Sequence, residues 1–361
     1  MNILIVITCL HPHGAEYSCL RHIKEYQKKY NFKFTLLTIL DGELKKEFED
    51  IGIPIIILKK EFKISTLNYL FKIIFQKKYD LIHSWMYHAN IVGLAIGLFT
   101  RTNVITSIRQ ALPNYKALKA KTILIAFIDS ILSRFIARKI VFNSKVSIND
   151  HCKRLFYAKK KSIYIPNKPY IVPFSVKNYF NEEEKETLHF ISLARDDKSK
   201  NLKYMIKLFN SLKDKKYKFI LDIYGDNIER SSIKDFHKKM MPKNTIRFFS
   251  KINNLEKILF KYDFYISTSL WEGYPNSLIT AASSGCIPIT TNAGDSWDLL
   301  EKNVFKLLSN INYDLKIISE AIKYHKNSIR SKRSIDCINF LENNYKSYFN
   351  YLDIYLQNGK K

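Results

Sequence analysis

The chain has 361 residues, 46% of them hydrophobic and 14% aromatic, which is enough for two domains with their own cores and too apolar for a disordered protein. Its net charge of +26 favours polyanionic partners (nucleic acid, an anionic membrane face or phosphorylated substrates), unless the lysines only solvate the surface. Five scattered cysteines without a CxxC spacing argue against a disulfide framework or a zinc site and fit a reducing cytoplasm, and nine histidines form no ligand cluster.

The first ten residues, MNILIVITCL, lack a positive n-region and a small-residue cleavage site, so 3–8 reads as a buried strand instead of a signal peptide. No apolar run approaches the roughly 18 residues of a spanning helix; 89–99 comes nearest and is broken by Asn90 and glycine. A turn at 12–16 leads into a helix over 15–30, and strands follow at 33–38, 54–58, 81–84, 104–107, 139–143 and 163–165. Strands alternating with helices predict a parallel sheet covered on both faces, with ligands at the carboxyl ends of the strands. The segment 115–139 sets Lys116, Lys119, Lys121, Arg134, Arg138 and Lys139 around the apolar run 123–128. Such a basic helix either lies on anionic lipid or faces the core with a solvated rim, and Asp129 interrupts the run. Lys159, Lys160 and Lys161 can join the same face.

The polar stretch 168–187, with its prolines and glutamates, is the natural inter-domain linker. A second strand–helix series opens with a strand at 189–193 and a loop carrying Arg195 and Lys200. Strands at 219–224 and 246–249 come next, then KYDFYISTSLWEGYPNSLITAASSGCIPITT from Lys261, which reads as one ligand-binding βαβ turn. Its strand is 264–267, Glu272 sits on the turn, and Pro275 stands where a first helical residue tolerates proline. The helix runs over about 276–284, Gly285 stops it with a left-handed cap, and the next strand begins at 287. The N–H groups of Asn276, Ser277 and Leu278 suit a phosphate. Glu272 suits neutral donors such as sugar hydroxyls, since like charges repel. A phosphate beside a polyol is what a nucleotide-sugar presents; an ordinary loop with a solvated Glu is the other reading. The last helix, 331–357, is long and aromatic.

The run EGYPNSLITAASSGCIPI resembles the signature of the retaining glycosyltransferases of family 4, the group 1 glycosyltransferases. The resemblance implies an α/β chain of GT-B fold, two Rossmann-like doubly wound parallel-sheet domains facing a central cleft. It divides the chain into an acceptor domain (1–168), a nucleotide-sugar donor domain (169–330) and a C-terminal helix (331–357) crossing back to the first domain. Arg195 and Lys200 resemble the family's donor-phosphate loop, and with Glu272 they are the catalytic residues it implies. The implied donor-binding positions are Gly14, Gly273, Tyr274, Pro275, Asn276, Ser277, Leu278 and Thr280. Gly14 belongs to a first loop in which His13 replaces one family glycine. Thr280 stands where the family carries a second Glu. On the acceptor side the resemblance points to His83 or His88, and to Arg109 where many members have histidine, favouring an acidic or phosphorylated group.

By the same resemblance a hexosyl or N-acetylhexosaminyl group moves from a nucleotide diphosphate, UDP foremost, to a saccharide or lipid-linked saccharide, with retention. No metal and no cofactor is implied if Arg195, Lys200 and the helix amides carry the leaving-group charge. Lipopolysaccharide, capsule and lipid-linked oligosaccharide assembly all fit a bacterial, cytoplasmic protein that is peripheral on the inner membrane face. Thr280 and Arg109 leave a second reading open, a catalytically impaired scaffold that binds a partner. Nucleic acid is not an expected partner, because no helix-turn-helix, zinc-finger or RNA-recognition signature accompanies the charge.

Overall fold

The computed structural model describes residues 1–58, 78–113, 118–168, 187–213, 217–226, 228, 232–240, 245–250, 252, 255–346 and 350–359. The expected linker 168–187 lies almost wholly outside them, as do Lys116 and residues 347–349 of the expected last helix. The chain divides into two compact units, one of Met1–Lys168 with Tyr348–Lys361 and one of Pro169–Ser347.

In the first unit the strands are β1 (Asn2–Ile7), β2 (Lys33–Thr38), β3 (Ile55–Ile57), β4 (Leu81–Trp85), β5 (Val104–Ile108), β6 (Lys139–Phe142) and β7 (Ser162–Tyr164). Helices α1 (Gly14–Tyr30), α2 (Lys45–Glu49), α3 (Tyr87–Thr100), α4 (Ala120–Ile136) and α5 (Lys145–Arg154) connect them. The strand order is β3-β2-β1-β4-β5-β6-β7, all pairs parallel. β1 and β4 are buried along almost their whole length, so they read as continuous apolar runs. The order reverses between β1 and β4, the place where a doubly wound sheet opens a crevice at its carboxyl edge.

The second unit repeats the plan with β8 (Thr187–Leu193), α6 (Leu202–Lys213), β9 (Lys218–Tyr224), α7 (Ser232–Met240), β10 (Ile246–Phe249), α8 (Glu256–Leu259), β11 (Phe264–Ser267), α9 (Asn276–Ser283), β12 (Ile287–Thr291), α10 (Ser296–Leu300), β13 (Phe305–Leu307) and α11 (Ile311–Lys326). Its parallel order is β10-β9-β8-β11-β12-β13, with the reversal between β8 and β11. Phe190 stacks on Phe264 at 4.5 Å between centroids, at the centre of a core that includes Phe209, Leu221 and Ile289.

The single terminal helix expected at 331–357 is two helices, α12 (Arg330–Lys346) and α13 (Tyr351–Asn358). Asn350 is extended, and its side chain accepts from the Asp353 N–H at 3.1 Å, so it caps a new helix instead of continuing the old one. α12 stays with the second unit through Arg330, which donates to the carbonyls of Leu259 and Ser284. α13 belongs to the first unit, where Tyr351, Ile354 and Tyr355 complete the core around Ile5, Leu36 and Trp85.

Candidate active site

The site begins with two loops at the carboxyl ends of β8 and β11. After β8 the chain turns through Arg195 and Asp197; the Asp197 carboxylate accepts the Ser199 N–H at 2.8 Å and the Ser199 hydroxyl at 2.5 Å. Burial raises the Asp197 carboxyl, but these donors and nearby Arg195 and Lys200 outweigh it and hold the carboxyl below its ordinary range. Asn201 then adopts left-handed backbone, with φ 50°, and α6 starts. The second loop is tied to the first by backbone groups. The Leu270 N–H donates to the Ser199 carbonyl at 2.7 Å, and the Thr268 hydroxyl reaches the carbonyls of Lys200 and Asn201 at 3.1 and 3.2 Å.

This stitching puts Lys200 Nζ 3.1 Å from Glu272 Oε1, with side-chain exposures of 21% and 12%. Arg195 stands further out, its side chain 51% exposed and its Nε 3.9 Å from Asp197. Two cations and one carboxylate therefore share one strand-end surface, next to the first turn of α9.

Two glycines just after strands hold the loops. A Cβ on Gly225 would lie 2.2 Å from the Ala194 carbonyl oxygen and 2.9 Å from Arg195 Cα. Gly294 has φ +65°, and its Cβ would meet the Gly273 and Glu272 carbonyls at 2.8 and 3.0 Å. Only glycine lets the β9 and β12 exits approach the charged loops this closely. The signal was available: each glycine follows a strand by no more than three residues.

Around α9 the sequence expectations are partly corrected. Pro275 is not the first helical residue but the cap, with φ −82° and ψ 67°. That tight turn directs the Asn276 N–H to the Tyr274 carbonyl at 2.9 Å, so Asn276 is not one of the amides offered to a ligand. The Ser277 and Leu278 N–H groups have no backbone acceptor among the described residues. The Ser277 hydroxyl hydrogen-bonds Tyr265 at 2.9 Å beneath them. Thr280 is buried and its hydroxyl donates to the Asn276 carbonyl at 3.0 Å, inside the helix. Tyr274 and Leu278 are buried as anchors of the turn, while Gly273 has no left-handed backbone. Gly285 does, at φ +80°; with Cys286 it closes a Schellman cap through bonds to the Ala282 and Ala281 carbonyls.

In the first unit Gly14 is exposed and opens α1. His83 is wholly buried, bonded to the Tyr355 hydroxyl at 2.6 Å and the Ser107 hydroxyl at 2.7 Å. Burial holds its imidazole well below the ordinary range, with His22 and Arg109 adding to the effect. The histidine expected near an acceptor is thus a neutral core residue that secures α13. Arg109, 8% exposed, lies over the Trp85 ring at 3.8 Å and donates to Asn167 and Tyr351 at 2.8 and 2.5 Å; its Nε has no partner among the described residues. Of the acceptor-side candidates His88 alone is exposed, at the start of α3. The sequence reading passed over Glu16, which is 1% exposed; one oxygen accepts from the Cys9 thiol at 3.3 Å and the other has no partner among the described residues. No group of three or more His, Cys, Asp or Glu residues is placed to hold a metal ion among the described residues.

Residues 176–335, nearly the whole second unit, match the family described as "Glycosyl transferases group 1". That segment of the second unit resembles a group 1 glycosyltransferase domain. Among curated proteins, the chain is 25% identical over 303 residues to the capsular polysaccharide biosynthesis glycosyltransferase CapH of Staphylococcus aureus, covering 81% of each chain. Among solved structures it is similar to HepE of Anabaena in complex with UDP, at TM-score 0.77 and 16% identity over 96% of this chain and 99% of that one. It is also similar to WaaG, a glycosyltransferase involved in lipopolysaccharide biosynthesis, at TM-score 0.67 and 12% identity over 96% and 95% of the chains. These likenesses establish the GT-B fold, two parallel-sheet Rossmann-like domains.

Proposed function

We propose that this protein is a group 1 glycosyltransferase that moves a hexosyl or N-acetylhexosaminyl group, with retention, from a UDP-sugar to a saccharide or lipid-linked saccharide in cell-surface glycan assembly. The observation that carries the reading is the Lys200–Glu272 pair at 3.1 Å, half-buried beside the open first turn of α9. Lys200, Arg195 and the amides of Ser277 and Leu278 meet the diphosphate, charge that is in place before the bond breaks. Glu272, steadied by Lys200, accepts from hydroxyls of the transferred sugar and fixes its orientation. With that cation set, leaving-group charge is met without a metal or cofactor.

UDP as the donor base is supported by the HepE complex, and glycan assembly by the names of CapH and WaaG. The acceptor falls to the first unit, where His88 is exposed at the start of α3, while Arg109 is held beneath Tyr351 of α13. An anionic inner membrane face is the partner that unites a lipid-linked acceptor with the +26 charge, giving a cytoplasmic, peripheral protein. One observation favours the second reading, a scaffold without turnover. The Thr280 hydroxyl is spent on its own helix, where a carboxylate would grip the ribose.

A thermal-shift panel of UDP, GDP, ADP and CMP, with Arg195→Ala alongside, separates the two. A ligand at 100 times its Kd adds about 2.7 kcal/mol to stability. UDP is expected to raise the melting temperature of the native protein and not of the variant. No shift with any nucleotide at millimolar concentration would put the scaffold reading first.

A further inference from the structure

Helix α4 is built inside out. Its buried residues are Ala126, Asp129, Ser130 and Ser133. Asp129 accepts from Asn90, Ser133 and Tyr157 at 3.0, 2.9 and 2.7 Å, so its carboxylate is fully engaged within the unit. Outward the same helix shows Leu124, Phe127, Ile128 and Phe135, exposed by 58%, 40%, 39% and 73%. Those positions recur at helical spacing and make one apolar stripe, the reverse of the pattern a surface helix shows towards water. Phe156, 55% exposed, extends the stripe, its ring edge-on to Phe127 at 6.0 Å between centroids.

The rim of this stripe is cationic. Lys121 and Arg134 stand exposed on α4, and Lys159 and Lys160 on the turn after α5. Lys161 pins that turn to the end of α4 through the Arg134 and Ala137 carbonyls, at 2.7 and 2.8 Å. Asp129 is the one carboxylate of α4, and it points inward.

We infer that this face is where the protein enters an anionic lipid bilayer, α4 lying in the interface plane with its aromatic stripe among the acyl chains. The inference deepens the membrane partner proposed above. Bilayer chemistry matches both parts of the surface: apolar interior to Phe127 and Phe135, anionic headgroups to the lysine rim. A second copy docked on the same face would set identical cations against each other, which argues against self-association. No described helix is long and apolar enough to cross a membrane, so the contact is interfacial.

The test floats the full-length protein with large unilamellar vesicles of phosphatidylglycerol or of phosphatidylcholine, without donor or acceptor. Binding to phosphatidylglycerol is expected, more than tenfold weaker on phosphatidylcholine and weakened by salt. Phe127→Gln with Phe135→Gln should cost at least tenfold in vesicle partition while melting temperature and the UDP shift stay native. Should the pair perturb folding, Phe135→Gln alone, at the most exposed position, is expected to cost about fivefold. Lys159→Ala with Lys160→Ala should cost roughly 25-fold at low salt, about fivefold per cation. No binding to anionic vesicles, or equal binding by the phenylalanine variant, overturns the inference. So does a lipid-free dimer that this variant dissociates, which would assign the stripe to a second copy. Loss of the UDP shift with vesicle binding intact would instead fault the transferase reading.

Discussion

In the second unit the charged side chains at the strand ends stay within reach of solvent: Arg195 is 51% exposed, Lys200 21% and Glu272 12%. In the first unit the side chains at comparable strand exits are covered, His83 completely and Arg109 to 8% exposure, by Tyr351 and Tyr355 of α13. Both sheets have the same plan, so the difference comes from what is laid over their carboxyl edges. Gly225 and Gly294 let neighbouring backbone support the charged loops from below without adding a side chain above them. The first unit instead spends its polar strand-end groups on attaching its own last helix. A polar residue at a strand end is thus a site residue only where no later element claims it.

The contrast can be broken most forcefully at Glu272. Glu272→Gln keeps the shape of the turn and removes the charge, and is expected to lower turnover by roughly 100- to 1,000-fold with a much smaller change in donor affinity. Steady-state release of UDP measures it. Near-native turnover would make the Lys200–Glu272 pair a structural tie of the kind the first unit contains.

Asp129 sharpens the other side. Burial raises its carboxyl from 3.8 to about 6. Between those values the folded chain holds a proton that the unfolded chain has released, so this group's contribution to stability falls as pH rises through the window. The full loss is about 3 kcal/mol. Asp129→Asn does not titrate, so its stability relative to the native chain should climb by about 2 kcal/mol from pH 4 to 6, the part of the loss that falls inside that window, in urea unfolding of the first unit. A flat difference would mean that the carboxyl is solvated.

The smallest effect is expected at Thr280. A glutamate there can offer a charged acceptor to the ribose, and such a bond is typically worth about 1.5–3 kcal/mol. Offset by losing the helix-internal hydroxyl bond, Thr280→Glu should tighten donor binding about tenfold in titration calorimetry. Unchanged affinity would show that the ribose does not reach α9.

Much of this was legible because strand periodicity and turn residues are local. β2, β10 and β11 begin and end where their apolar runs do, and Gly285 takes the left-handed cap its place after α9 demands. Arg195, Lys200 and Glu272 stand on the loops to which the family resemblance points, and local strand-end geometry brings Lys200 and Glu272 to 3.1 Å. What escaped depends on partners distant in sequence. Pro275 reads as a helix opener until ψ 67° shows the Asn276 N–H taken by Tyr274. His83 reads as a cleft residue until Tyr355, 272 positions later, bonds it. Asp129 reads as an interruption of an apolar face, yet it marks the opposite face, and only Asn90 and Tyr157 reveal that.

The return of α13 also sets an order of assembly during synthesis. Residues 1–168 leave the ribosome first, but the hydroxyl that joins His22 to His83 belongs to Tyr355, and the one that receives Arg109 belongs to Tyr351. The second unit is contiguous and can close as soon as α12 has emerged, whereas in the first the Tyr355 bonds of His22 and His83 and the Tyr351 bond of Arg109 wait for α13. The unit made first is therefore finished last, and a chain truncated after residue 346 would carry a completed second unit and a first unit whose sheet lacks α13.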